Sequence, residues 1–171
     1  ISAPVEIILS GEANEPTTTS YTWKLYNLKD LDNPIFNRME KETTYTFRES
    51  GSYKLVLELA DATASCITQE EIAFNIAESY LDAPNFFSPD DSPGSNDEFK
   101  VSYRSLVQFK CTIFNRWGVK LYEWTDPEKG WNGKSNGKYV ATGVYFYVIQ
   151  AKGSEGKTYK KEGSINILRS R

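Results

Sequence analysis

Glu123, Asp126 and Glu128 crowd around Trp124. Paired carboxylates beside an aromatic ring are the residue types of glycoside hydrolysis, where one acts as acid and the other as base or nucleophile. Trp117, Trp124 and Trp131 recur at short spacing, and indole faces stack on sugar rings when exposed. Other composition works against catalysis. The chain has no His, which removes the usual general base near neutral pH, the Ser/His and Cys/His nucleophile pairs and the commonest transition-metal ligand. Carboxylate, Lys and Tyr chemistry remain. A polar turn after an edge strand accounts for the acidic group more simply than a cleft in so small a sandwich. Packing inside hairpins is the expectation for at least two of the three Trp. Cys66 and Cys111 are the 2 cysteines, too few for a disulfide framework. Cys111 alternates with Val107, Phe109 and Ile113 and reads as a small buried hydrophobe; free thiols are the expectation, and a bridge between the two stays open for an oxidising compartment.

These residues must be positioned by strands. In 171 residues, aromatics make up 14%, with 11 Tyr and 9 Phe against 1 Met. That bias suits pleated, half-buried surfaces. A net charge of −3 with no basic block argues against a nucleic-acid partner. No signal peptide and no run of 18 apolar residues occurs. The chain opens at Ile1-Ser2-Ala3-Pro4 without a Met and is expected to be a piece of a longer protein, so no location follows from a missing leader.

Alternation predicts strands at Val5–Leu9, Tyr21–Tyr26, Thr44–Phe47, Tyr53–Leu59 and Glu71–Ile76, with Tyr21, Trp23 and Leu25 sharing a face and Ile72, Phe74 and Ile76 sharing another. Asn27 to Lys41 reads as loop and short edge structure. Around residues 77–84 a short joint separates this unit, 1–79, from a second, 80–171. There Phe99, Val101 and Tyr103 alternate, Leu106 to Phe114 forms a strand, and Val144 to Ala151 is the most apolar strand and the expected centre of its sheet. Asn115 and Gly118 turn a hairpin that carries Arg116 and Trp117, and Asn136-Gly137 is a tight-turn pair. Gly163 to Arg169 closes the chain as a last strand. Short strands with regular turn signals predict an all-β chain of two tandem immunoglobulin-like β-sandwich domains.

The first half, with Tyr21-Thr22-Trp23-Lys24 and then Tyr45-Thr46-Phe47 leading through Gly51 to Tyr53-Lys54-Leu55-Val56-Leu57, resembles a polycystic kidney disease (PKD) type immunoglobulin-like domain, although Ser50 stands where that family carries Pro. The resemblance implies a spacer or adhesive module. The second half carries four pieces in order: Pro84-Asn85-Phe86-Phe87-Ser88-Pro89 with Asn96-Asp97-Glu98-Phe99; Phe114-Asn115-Arg116-Trp117-Gly118; Trp131-Asn132-Gly133 with Gly143-Val144-Tyr145-Phe146-Tyr147; and Gly163-Ser164-Ile165-Asn166-Ile167-Leu168-Arg169. Together they resemble the gliding motility-associated C-terminal domain, the type B sorting domain of the Bacteroidetes type IX secretion system. What the resemblance implies is an address rather than a chemistry: recognition by outer-membrane type IX secretion machinery, with a PorP/SprF-like protein as the expected partner, and export through the periplasm to the cell surface or medium. No nucleic acid and no small-molecule substrate are implied. The candidate recognition residues are Arg116, Trp117, Gly163, Ile165, Ile167, Leu168 and Arg169.

That family's loop after the Pro resembles a calcium loop. Here Asp90, Asp91, Asn96 and Asp97 could supply hard oxygen ligands, and they are the metal candidates. Pro93 and the broken spacing make solvated turn residues the expectation instead. Lys152, Lys157, Lys160, Lys161, Arg169 and Arg171 bias the end of the chain positive, either as a solvated edge that discourages strand pairing or as a receptor face that adds a strand to its partner. Two other functions stay open at the level of sequence: an adhesive or glycan-binding tandem sandwich, and a secretion-system-associated surface component acting in docking or signalling.

Overall fold

The computed structural model describes residues 1–13, 18–63, 67–89 and 97–168. Among them no helix forms and every regular element is a strand, as the period-two alternation dictates. The chain divides into two compact units, Ile1–Glu78 and Ser79–Arg171.

In the first unit β1 (Val5–Ser10) pairs only with β4 (Glu42–Phe47), while β3 (Phe36–Met39), β2 (Thr18–Asn27), β5 (Gly51–Asp61) and β6 (Ile67–Ile76) form a four-stranded antiparallel sheet in the order β3-β2-β5-β6. The two sheets close on Trp23, Leu25, Phe47, Tyr53, Leu55 and Ile76. Phe47 is the hinge of this core, with its ring 5.0 Å from Tyr53 and 5.4 Å from Phe74, both edge-on. The stretch that reads as loop and short edge structure, Asn27 to Lys41, contains the edge strand β3, held against Thr22–Leu25. The face Ile72, Phe74, Ile76 is buried only at one end: Ile76 is in the core, whereas Ile72 is exposed. A two-stranded sheet is too narrow to cover all of β6.

In the second unit β7 (Tyr80–Asp82) pairs with β9 (Ser102–Arg104), and β12 (Lys134–Ser135) with β13 (Lys138–Tyr139). The main sheet runs β11 (Lys120–Trp124), β10 (Leu106–Phe114), β14 (Gly143–Gly153), β15 (Thr158–Ile167), β8 (Phe86–Phe87). The apolar strand Gly143–Gly153 is thus its middle strand. Odd-numbered residues of β14 such as Ile149 and Ala151 point inward, where they meet Phe87, Phe99, Ile113, Trp124, Ile165 and Ile167. Val107 departs from the face it shares with Cys111 in the sequence. A register shift between Leu106 and Gln108 turns Leu106 in and leaves Val107 exposed, the expected effect of one extra residue in a period-two strand.

Candidate recognition surface

The turn at Asn115–Gly118 is built by one side chain. Asn115 Oδ1 accepts the backbone N–H groups of Trp117 and Val119, each at 3.0 Å. The Gly118 N–H donates to the Asn115 carbonyl, and the Asn115 N–H to the Val119 carbonyl, both at 3.0 Å. Gly118 takes φ of +81°, the left-handed conformation that closes such a turn at little cost only with Gly. The two residues left between these anchors point outward. Trp117 is 73% exposed, and the Arg116 guanidinium lies 4.3 Å from the centre of its ring, a cation–π contact that keeps both side chains together in water. A cavity of about 180 Å³ opens beside them, walled by Asn115–Trp117 on one side and Ala141–Tyr145 on the other.

The surface continues onto the outer face of the main sheet. Inward packing of Ile149 and Ala151 sends the even-numbered residues of β14 outward, so Val144 and Phe146 are exposed, as is Phe86 in the row Val144–Asn166–Phe86. Towards the other end of the same face, Lys110, Gln150 and Lys160 form a polar row. The sequence carried a signal for this patch that the motif reading passed over: β14 is apolar at odd and even positions alike, so one of its two faces had to be either covered or presented.

Other residues from the recognition set have different positions. Ile165 and Ile167 are fully buried, so no receptor reaches their side chains while the fold is intact. Gly163 lies opposite Tyr147 in the sheet, and a Cβ there would come within 2.6 Å of the Tyr147 hydroxyl and 2.7 Å of its ring; the bare backbone makes room for that ring. Leu168 is exposed and its N–H donates to the Phe87 carbonyl at 3.2 Å. Arg169 lies outside the described residues. Strand addition at the C-terminal end of β15 is already used: Phe86–Phe87 pair there in parallel with Asn166–Ile167.

Of the metal candidates, Asp90, Asp91 and Asn96 lie outside the described residues, as does Cys66, and Asp97 is half-buried. The carboxylate group disperses. Glu123 is held by Lys120 at 3.0 Å and Lys110 at 3.1 Å, and these hydrogen bonds keep its carboxyl below the usual range. Glu128 accepts the Tyr103 hydroxyl; burial first, and this carboxylate second, push the phenol well above its ordinary value. Asp126 accepts the Glu128 backbone N–H at 3.0 Å, so two of the three acids are engaged with basic or phenolic groups and the third with the backbone. Trp124 and Trp131 are buried, which leaves Trp117 alone of the three in the second unit as an accessible indole.

The remaining motif residues lock the fold. Phe99 and Trp131 exchange backbone hydrogen bonds at 2.8 and 2.9 Å, and the Trp131 indole N–H donates to the Lys134 carbonyl at 2.9 Å. Phe87 packs 5.5 Å from Trp131 and 6.2 Å from Phe99. Gly133, at φ +82°, lies so close to the buried Pro89 that a Cβ would sit 3.0 Å from its ring. The four pieces, scattered in sequence, meet in one knot, and the hairpin is the part of it that faces water.

The family model of the CHU_C type IX secretion signal domain matches residues 81–167, about half of the chain. The chain belongs to that family. The CHU_C domain is a sorting signal rather than a catalytic domain: it directs the protein to which it is attached through the type IX secretion system to the cell surface or medium, and so interacts with that machinery. No curated protein matches the chain. Among solved structures, dimeric latent PorU from Porphyromonas gingivalis overlaps 95% of this chain and 17% of its own, at 13% identity and a TM-score of 0.37. A tetra-tandem repeat from the extending region of a large adhesion protein overlaps 98% of this chain and 50% of its own, at 8% identity and a TM-score of 0.31. The chain thus spans less than two thirds of either structure, and neither overlap is close enough to bear on function.

Proposed function

We propose that the CHU_C domain is read through the Arg116–Trp117 hairpin and the adjoining apolar face of Val144 and Phe146, by an outer-membrane protein of the PorP/SprF-like kind that meets it in the periplasm. Residues 1–78 serve as a PKD-like spacer between this address and whatever is exported. The observation that carries the reading is the exposed indole of Trp117, on a turn whose internal hydrogen bonds are supplied by Asn115 and the backbone. Exposed aromatic and Arg side chains at the centre of an apolar patch are the common anchors of protein interfaces. Ile165, Ile167 and Gly163 serve the signal indirectly, by holding β15 and Tyr147 in place.

Deletion of residues 164–171 does not test this proposal, because it removes two core side chains and unfolds the domain whatever the receptor touches. The informative variants are Trp117→Ala and Arg116→Ala in a reporter fused ahead of the chain, expressed in a type IX-competent host. Export to surface and medium is expected to fall several-fold, with reporter accumulating in the periplasm, while the melting temperature of the purified domain stays unchanged, since truncating an exposed side chain shifts stability by no more than about 0.5 kcal/mol. Undiminished export of the double variant would sink the assignment of this face.

A further inference from the structure

Arg116 holds a charge that its own surroundings leave unanswered. Its guanidinium lies over the Trp117 ring, and among the described residues its N–H groups meet no acceptor oxygen. Acceptors on both sides of it are spent. Asn115 Oδ1 and the Asn115 carbonyl take N–H groups of their own turn, and the Ala141 carbonyl takes the Tyr145 hydroxyl at 2.7 Å.

Neither wall of the cleft supplies an acid. The space of about 180 Å³ lies between the hairpin and Ala141–Tyr145, and among the described residues Arg116 is the one charged side chain that lines it. Both walls come from stretches free of carboxylates: no Asp or Glu stands between Glu98 and Glu123, nor between Glu128 and Glu155. The neighbouring strands do not make up for this. Gly143 and Tyr145 face Ile167 and Ile165 of β15, and the nearest acid on that strand, Glu162, stands opposite Val148. Glu123 of β11 is held by Lys110 and Lys120. The charge of Arg116 is felt inside the cleft, where it opposes part of the rise that burial causes in the Tyr145 phenol.

A cation without a counter-charge selects an anion, and its shape selects which one. A guanidinium is a planar fork whose paired N–H groups match a carboxylate, and the indole beneath it restricts its freedom before anything binds. A phosphate or sulfate group is served by several converging cations, whereas one lines this cleft. Val144 and Phe146 are exposed beside it, so a ligand with apolar groups around its charge covers more of this face than a headgroup does. The volume suits one side chain, since benzene fills a void of about 150 Å³. We propose that a single acidic side chain of the receptor, a Glu or Asp flanked by apolar residues, enters this cleft and pairs with Arg116 through two parallel hydrogen bonds. The inference rests on the reading of this face as the one the receptor meets, and adds the chemistry that the receptor must bring. Trp117, Val144 and Phe146 shield the pair from water, which makes it an anchor and not a rim contact.

The test uses the full chain and two acetylated, amidated peptides, Val-Glu-Val and Val-Gln-Val, titrated against the NMR signals of the Arg116 Nε–H and the Trp117 indole N–H. The Glu peptide is expected to shift both saturably in the millimolar range, and the Gln peptide to bind roughly fivefold more weakly. Arg116→Lys keeps the charge and loses the fork. It is expected to weaken binding of the Glu peptide at the Trp117 signal, and to lower reporter export several-fold in a type IX-competent host, as Arg116→Ala does, with the melting temperature unchanged. The carboxylate is overturned by no saturable shift, by equal binding of the two peptides, by full export of Arg116→Lys, or by tighter binding of inorganic phosphate or of phosphatidylglycerol vesicles than of the Glu peptide. The receptor reading is judged separately. Undiminished export of both Arg116→Ala and Trp117→Ala removes it, whereas reduced export of these variants beside equal binding of the two peptides keeps the receptor and removes only its acid.

Discussion

Cys111 shows how a single burial sets both reactivity and pH dependence. Its side chain is fully buried in the second core, and burial pushes the thiol from 9.0 up to about 12. The same cause raises the phenols of Tyr53, Tyr145 and Tyr147. Between the ordinary and the raised value the folded state binds more protons than the unfolded one, so stability falls as pH rises through that interval. From neutral pH stability is expected to be level up to about pH 9 and to decline above it. Cys111→Ala removes one contributor and should decline less steeply, which urea titrations from pH 8 to pH 11 measure directly. In a Cys66→Ala background the native protein is expected to resist thiol reagents at pH 8 and to react once unfolded, because the thiolate is the nucleophile and a buried, protonated thiol has neither charge nor access. Rapid native labelling would show that Cys111 is not enclosed.

At the scale of the element, the hairpin separates the residue that builds a turn from the residue that the turn displays. Asn115 satisfies two backbone donors with one oxygen, as Asn does where a side chain mimics a backbone turn. Asn115→Ala is expected to cost about 1–2 kcal/mol, whereas Trp117→Ala costs about 0.5 kcal/mol or less; calorimetry of the two variants gives the order, and an equal or inverted order would mean that Trp117 packs. This division was half legible in sequence. The Asn and Gly spacing announces a turn, since both residues have local backbone reasons to be there. Whether the Trp beside them faced in or out depended on where Gly143–Tyr145 lies, a long-range fact with no local signal. Strand positions were legible throughout because alternation is local, and β14 was legible as the centre of its sheet because it is the most apolar. Faces were lost where the period slips, as at Val107, or where the covering sheet runs out, as at Ile72. The terminal motif has a related ambiguity: Ile165 and Ile167 fill the core, and a sequence pattern does not distinguish a residue that is recognised from one that holds the recognised surface in shape.

At the scale of the whole molecule, the two units have separate cores, Trp23 with Phe47 and Tyr53 in one, and Phe87 with Phe99 and Trp131 in the other. Every residue of the sorting-domain knot, from the Phe87 strand to the Ile167 pairing, belongs to Ser79–Arg171. Units with their own core and their own closed set of strand pairings fold independently. Residues 79–171 expressed alone are therefore expected to melt cooperatively with intact tertiary signals from Trp124 and Trp131. Fused behind a reporter, they should direct export as well as the whole chain does, while residues 1–78 alone should fold and direct none. Failure of the short fusion to export, when the same piece is shown to be folded, would assign part of the address to the first unit. A spacer role makes a further demand on that result: replacing residues 1–78 by an unrelated sandwich of similar length should leave export unchanged, because a spacer contributes distance and not chemistry. If export instead falls with the unrelated sandwich in place, the first unit takes part in transport, and the two halves of the chain act as two sites for the machinery rather than as an address and its stalk.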